Sequence, residues 1–248
     1  MSGKPLAGQT ALITGAARRL GRAMALALAD EGVNVVVHYN TSAAEAEQLC
    51  QQLAGRGVNA CSVRADLAAA DQHEPLIEKA QQAAGSLDIL INNASIFPPG
   101  TLEDITFDDV AANLQVNAWA PFALSRAFAR QAGRGKIVNL LDSKLTRYDW
   151  AHAAYYLSKH MLAVIARMTA LEFAPDITVN AVAPGLILPP PGEDESYLER
   201  MGHMLPLKRH GSPSDVAEAA LFLLRSDFIT GQVIFVDGGA HLRELADG

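Results

Sequence analysis

Tyr155 and Lys159 stand four residues apart in a stretch with helical patterning, so their side chains lie one above the other on the same helical face. An ammonium beneath a phenol favours the phenolate and makes the tyrosine an acid usable near neutral pH. Asp142 ends the apolar run KIVNLL thirteen residues before the tyrosine, and from the carboxyl end of a strand it faces the same crevice. Ser143 follows it directly. On its own, this spacing is also what a packing tyrosine and a solvated lysine produce. The surrounding elements decide between the two.

Those elements alternate. Apolar runs at Thr10–Thr14, Val33–His38, Asn59–Val63, Leu87–Ile91, Lys136–Leu141, Ile177–Ala183 and Val233–Val236 read as buried strands. Helical patterns lie between them: from Gly21 to about Asp30, Ser42 to Leu53, Asp71 to Ala84, Thr106 to Gln131 and His152 to Phe173. Ser212-Pro213 opens one more, and Ser42 with Glu45 has the spacing of a capping box. Strands apolar on both faces and separated by helices predict an α/β chain. The expectation is a single-domain Rossmann fold over 1–248, a doubly wound parallel sheet of about seven strands with helices on both faces. Leu186 to His210, with Pro189-Pro190-Pro191 and the acidic run Glu193-Asp194-Glu195, reads as an irregular loop that closes over substrate. The tail from His241 is polar.

Composition removes several functions. Half of the 248 residues are hydrophobic, ample for one substantial core. The net charge is −7 and the Lys and Arg residues form no basic stripe, which argues against nucleic acid. Cys50 and Cys61 give neither a metal spacing nor a disulfide framework, so no metal is expected. The N-terminal MSGKPLAGQT lacks a signal core, and no apolar run reaches the ~18 residues of a membrane span. A cytoplasmic protein without membrane partners is the expectation.

Gly15-Ala-Ala-Arg-Arg-Leu-Gly21, between the first strand and helix, is a phosphate-binding arrangement, although its spacing is not G-x-G-x-x-G. Gly15 and Gly21 alone would serve a tight turn and helix–sheet packing equally well. The position directly after the first strand, together with Arg18 and Arg19, favours phosphate. After the second strand come His38, Tyr39, Asn40, Thr41 and Ser42, where an NAD-binding fold carries a ribose-binding acid. No carboxylate stands there to repel a 2′-phosphate, which favours NADP over NAD.

The ordered set Thr14-Gly15-(x)5-Gly21, Asp66, Asn92-Asn93-Ala94, Asn117, Tyr155-x-x-x-Lys159, Pro184-Gly185 and Asp237-Gly238-Gly239 resembles the short-chain dehydrogenases/reductases from end to end. Three departures narrow the likeness. Arg19 and Ser95 replace common glycines, and Asp142 stands where most members carry the catalytic serine, leaving Ser143 one residue late. These features, with Asn93 to Phe97 and His38 to Ala46, resemble the pteridine reductases and the dihydromonapterin/dihydrofolate reductases.

The resemblance implies NADPH and a pterin or folate, with hydride transfer to a C=N bond of a dihydropterin or dihydrofolate. It implies Tyr155, Lys159, Asp142 and Asn117 as the catalytic set, Asn117 holding Lys159 through a water. Gly15, Arg18, Arg19, Leu20, Gly21, Asn93, Ala94, Ser95, Pro184, Gly185 and Ile187 would line the cofactor groove with Tyr155 and Lys159. Asp66 and Leu67 would border the adenine, though turn or capping bonds serve Asp66 and Asn117 equally well. Arg19, Ser95, Phe97, Asp142 and Tyr155 would meet the substrate, Phe97 by stacking on the pterin. Ser143 as the working hydroxyl would instead make this an NADPH-dependent carbonyl reductase, and a chain without turnover would be an NADP-binding sensor. A homotetramer packed through the Thr106–Gln131 and His152–Phe173 helices also follows from the resemblance. His152 and His160 read as ordinary helix-surface residues.

Overall fold

A computed structural model describes residues 6–146, 148, 150–190 and 192–242. Pro191 of the proline run, the first five residues and the tail beyond Leu242 lie outside the described residues. Seven strands form one parallel sheet: β1 (Thr10–Ile13), β2 (Asn34–Tyr39), β3 (Ala60–Arg64), β4 (Ile89–Asn92), β5 (Gly135–Leu140), β6 (Ile177–Pro184) and β7 (Val233–Val236). Their order across the sheet is β3-β2-β1-β4-β5-β6-β7. The helices are α1 (Arg19–Asp30), α2 (Ala43–Ala54), α3 (His73–Ala84), α4 (Phe107–Leu114), α5 (Ala120–Ala132), α6 (Ala153–Glu172), α7 (Glu195–Gly202) and α8 (Pro213–Arg225).

Alternation along each strand explains the two helical layers. Val35, Val37, Ile89, Ile91, Val138 and Leu140 pack with Met24 and Leu28 of α1, Leu49 of α2 and Leu224 of α8. Their neighbours Leu12, Val36, Leu90 and Ile137 point the other way, onto Leu76 and Ile77 of α3 and Leu124 and Phe128 of α5. The central strands therefore bury both faces, which is why they read as continuous apolar runs, while the edge strands β3 and β7 are only partly buried. The expected doubly wound Rossmann fold is what forms. No helix among the described residues is long and apolar enough to cross a membrane.

Three local expectations need correcting. The single helix expected over Thr106–Gln131 is broken by a π-helical turn at Gln115–Trp119. Pro121 has no N–H for the carbonyl four residues back, that of Asn117, so the α-ladder cannot run through. The irregular stretch after β6 contains α7, whose N-terminus is capped by Asp194 accepting from the Ser196 N–H. Ser42 makes no side-chain cap on α2, and Glu45 reaches sideways to Arg18 at 2.7 Å instead of back to the helix start. Capping boxes form elsewhere, at Thr106/Asp109 and Ser212/Asp215.

The order reverses between β1 and β4, and a crevice opens there beyond the strands' carboxyl ends. The chain is stitched across that gap. The Thr14 hydroxyl accepts from the backbone N–H groups of Asn93 (2.9 Å) and Ala94 (3.0 Å). The Asn93 amide donates to the carbonyls of Thr14 (2.8 Å) and Gly15 (3.2 Å). His38 braces the same turn from below, fully buried. Its Nδ1 accepts from the Gly15 N–H at 3.0 Å, which places the ring proton on Nε2, 3.1 Å from the Ala65 carbonyl.

Burial holds the His38 imidazole neutral, its pKa lowered from 6.5 to about 4 against the opposing pull of Ala65 and Asp66. As pH falls, the unfolded chain takes up that proton first, so the stabilisation is intact above 6.5 and drains away between 6.5 and about 4. The expected loss across that window is on the order of 3 kcal/mol at most. Urea midpoints measured from pH 7 down to 4.5 should fall more steeply for the wild type than for a His38→Gln variant. Parallel slopes would remove His38 as the acid-sensitive brace.

Candidate active site

Helix α6 and the turn after β5 bring the chemistry together. The Tyr155 hydroxyl donates to Asp142 Oδ2 at 2.9 Å, and the Lys144 backbone N–H donates to Oδ1 at 2.8 Å. Each carboxylate oxygen thus has one protein partner and retains acceptor capacity. Lys159 is buried one helical turn beyond Tyr155, its Nζ 5.6 Å from the phenol ring centroid and donating to the Leu140 carbonyl at 2.8 Å. Burial lowers its pKa from 10.5 to about 8, while the nearby Asp142 charge acts in the opposite direction. A phenol touching a carboxylate, with a buried ammonium behind it, is a proton-handling group.

Ser143 lies elsewhere. It is buried, and its Oγ packs toward Gly185, where an added Cβ would come within 3.3 Å of it. Phe97, half exposed, stacks on His152 with centroids 3.8 Å apart and meets the edge of Tyr155 at 4.5 Å. His152 is therefore not an ordinary helix-surface residue: it is the N-cap residue of α6 and part of the aromatic wall. Neither is His160, whose ring nitrogens lie 2.9 and 3.1 Å from the carbonyls of Tyr156 and Leu145 beneath the turn that carries Asp142.

Asn117, in the π-helical turn, is fully committed within the protein. Its Oδ1 accepts from the Ile96 N–H (2.8 Å) and the Ser95 hydroxyl (3.1 Å), and its Nδ2 donates to the Ile96 carbonyl (2.9 Å) and Ser158 Oγ (3.0 Å). It ties the irregular segment after β4 to α6, and so sets the distance between Phe97 and Tyr155.

The residues expected to hold a cofactor gather along the carboxyl edge of the sheet. A Cβ on Gly21 would collide with the Gly15 carbonyl and sit 2.6 Å from the Asn93 amide, so only glycine lets α1 approach the turn. Gly15 holds φ +62°, and α1 has no side chain capping its N-terminus. Open backbone N–H groups at that helix end fit a pyrophosphate. Arg18 is exposed and paired to Glu45; Arg19, also exposed, donates to the Pro189 carbonyl at 2.8 Å. Glu45, read in the sequence only for its capping-box spacing with Ser42, thus puts a carboxylate beside Arg18. Arg64, unremarked in the sequence, donates from Nε to the Asn40 carbonyl at 3.2 Å and adds a cation to the same rim. Asp66 accepts from Asn40 Nδ2 (3.2 Å) and the Ala68 N–H (3.0 Å), and Gly185 donates to the Val236 carbonyl at 2.9 Å.

Of the expected groove residues, His38, Leu67 and Ile187 are buried, as are Tyr155 and Lys159. Thr14, His152, Lys144 and Ser158 were missed. Thr14 was visible as the motif's first residue; the others show only through tertiary contact. Among the described residues no three His, Cys, Asp or Glu side chains group as a metal site.

Residues 15–241 match the family model described as enoyl-(acyl carrier protein) reductase. The crystal structure of FolM alternative dihydrofolate reductase 1 from Brucella canis, complexed with NADP, superimposes with a TM-score of 0.91 at 31% identity over 98% of both chains. Versicolorin reductase 1 of Dothistroma septosporum is 32% identical over 95% of this chain and 97% of its own. The 3-oxoacyl-[acyl-carrier-protein] reductase FabG of Staphylococcus epidermidis is 33% identical over 94% of this chain and 99% of its own. With a family model matching residues 15–241 and relatives above 30% identity across nearly its whole length, the chain belongs to the short-chain dehydrogenase/reductase family of oxidoreductases.

Proposed function

We propose that the protein is an NADPH-dependent pteridine reductase, reducing a C=N bond of a dihydropterin or dihydrofolate to the tetrahydro form. The observation that carries this reading is the 2.9 Å bond from the Tyr155 hydroxyl to Asp142. NADPH, when bound, supplies the hydride. The glycine turn and the α1 N-terminus hold its phosphates, with Arg18 and Arg64 at the 2′-phosphate rim. Asn93, Ala94, Ser95, Pro184 and Gly185 border its groove.

Asp142 has two roles. Its remaining lone pairs accept paired hydrogen bonds from an amino-pyrimidine edge, a task that a single hydroxyl performs less well. Its Oδ2 also orients the Tyr155 hydroxyl. Tyr155 Oη delivers the proton to the ring nitrogen, and the Lys159 ammonium stabilises the phenolate that is left. Phe97, with His152 behind it, offers a flat face to a flat heterocycle. The NADP complex of the Brucella canis dihydrofolate reductase supports both the cofactor and the substrate class.

A second reading is an NADPH-dependent carbonyl reductase in which Ser143 is the working hydroxyl. The similarity to versicolorin reductase and to FabG favours it. The buried position of Ser143 beside Gly185 speaks against it. We also propose a homotetramer. Leu157, Val164, Met168 and Leu171 form an exposed apolar stripe along one face of α6, beside exposed Trp119 and Phe107.

NADPH oxidation followed with 7,8-dihydropterins, dihydrofolate and a ketone panel should show turnover of the pterin ring alone; ketone turnover alone would overturn the reading. Asp142→Ala should lower kcat/KM for the pterin by about 100-fold or more, whereas Ser143→Ala should change it less than about threefold. In the wild type, kcat/KM should hold at neutral pH and fall as pH rises through about 8, where Lys159 loses its proton. Lys159→Met should be slow at every pH, and a wild-type profile level from pH 6 to 9.5 would remove the ammonium from the mechanism. Light scattering should give a tetramer for the wild type and a smaller species for Val164→Arg/Met168→Arg; an unchanged mass would place the interface elsewhere.

A further inference from the structure

Arg19 sits where two functional loops meet. It opens α1 with φ +52°, a left-handed conformation that side chains rarely adopt and glycine adopts freely. Strained backbone of this kind persists where the surroundings hold it in place. From there its side chain reaches across the site: Nη2 donates to the Pro189 carbonyl at 2.8 Å, joining the glycine turn to the loop after β6 across 170 residues of chain.

That loop is already closed at its base. The Gly211 N–H donates to the Leu186 carbonyl at 3.0 Å, and Ile187 is buried against Gly211. Above this neck, Pro189 and Pro190 have fixed φ angles, so the Pro189 carbonyl is presented by a stiff segment. Beyond them α7 is carried by the same loop, Gly202 packing on the backbone of Arg209 and His210. A guanidinium presents several donors in a rigid fork, so one N–H on Pro189 leaves others for phosphate oxygens on the cofactor side.

We propose that Arg19 is a positioning residue that clasps the substrate loop to the glycine turn, so that the two segments order together. The proposal rests on reading 186–210 as the loop that covers substrate. Because coupling between sites is reciprocal, a dinucleotide that orders the turn also holds the loop, and a ligand that closes the loop tightens the dinucleotide. Lysine cannot replace the clasp fully, since an ammonium is a point charge without the fork.

Hydrogen exchange of the full chain, with and without NADP+, tests this on the wild type, Arg19→Gly and Arg19→Lys. Glycine accepts the same φ, so the turn is preserved while the clasp is removed. Without cofactor, amides of 194–205 should exchange about fivefold to tenfold faster in Arg19→Gly than in the wild type, with Arg19→Lys between them. NADP+ should protect both 14–22 and 194–205 in the wild type. In Arg19→Gly it should protect 14–22 alone. Equal exchange at 194–205 in all three proteins overturns the clasp, as does faster exchange throughout the sheet, which would make Arg19 a general structural residue. The readout involves no substrate, so the clasp and the pterin assignment fail separately: a protein with the clasp that reduces no pterin loses only the substrate class.

Discussion

Everything in the crevice depends on how the chain is held open where the sheet reverses. Two parallel strands that part company leave backbone donors and acceptors beyond the end of the ladder, and buried groups of that kind must find partners. Here a single hydroxyl and a single amide do so. Thr14 takes the N–H groups of Asn93 and Ala94, and Asn93 returns two hydrogen bonds to the carbonyls of Thr14 and Gly15. With those groups satisfied, the glycine turn stands clear of the sheet and the α1 N-terminus stays open. His38 completes the arrangement from beneath, as a neutral acceptor for the Gly15 N–H. The turn is therefore held from within the protein by Thr14, Asn93 and His38.

The buried Lys159 imposes a second constraint. Desolvating an ammonium is unfavourable, and the lowered pKa expresses that penalty. What offsets it is the Leu140 carbonyl at the end of β5 and the Asp142 carboxylate two residues further on. Aspartate in place of serine thus alters more than one hydrogen bond. It places negative charge close enough to favour the protonated lysine, and it gives Tyr155 an anionic partner.

Much of this was legible in the sequence because its causes are local. Strands buried on both faces must be apolar throughout, and glycine was required at Gly15 and Gly21 by a left-handed turn and a close helix approach. The misreadings have equally physical origins. Pro121 announced a break in the helix, but the apolar periodicity on either side masked it. The α7 helix is short and polar, so it lacked the stripe that marks a buried helix, although Asp194 is an ordinary N-cap residue. Glu45 satisfied a sequence rule for capping, yet Arg18 competes for the same carboxylate and wins through full charge complementarity. The roles of His152 and His160 were invisible, since stacking on Phe97 and packing under the 143–146 turn join residues distant in sequence.

Whole-chain similarity does not choose among substrates here. Identity to the Brucella canis dihydrofolate reductase, to versicolorin reductase and to FabG all falls between 31 and 33%, spread over nearly the full length of each. Likeness of that extent goes with a shared scaffold, and one scaffold serves many chemistries. Discrimination has to come from the few positions that face the reacting atoms, and Asp142 and Phe97 both lie against one of them, Tyr155. Asp142 contacts Tyr155 directly, Phe97 meets the edge of the same ring, and Arg19 reaches over the turn to the loop after β6. On the proposed reading, Asp142 would grip a ring edge and Phe97 would offer an aromatic face, and neither is required for reducing a ketone.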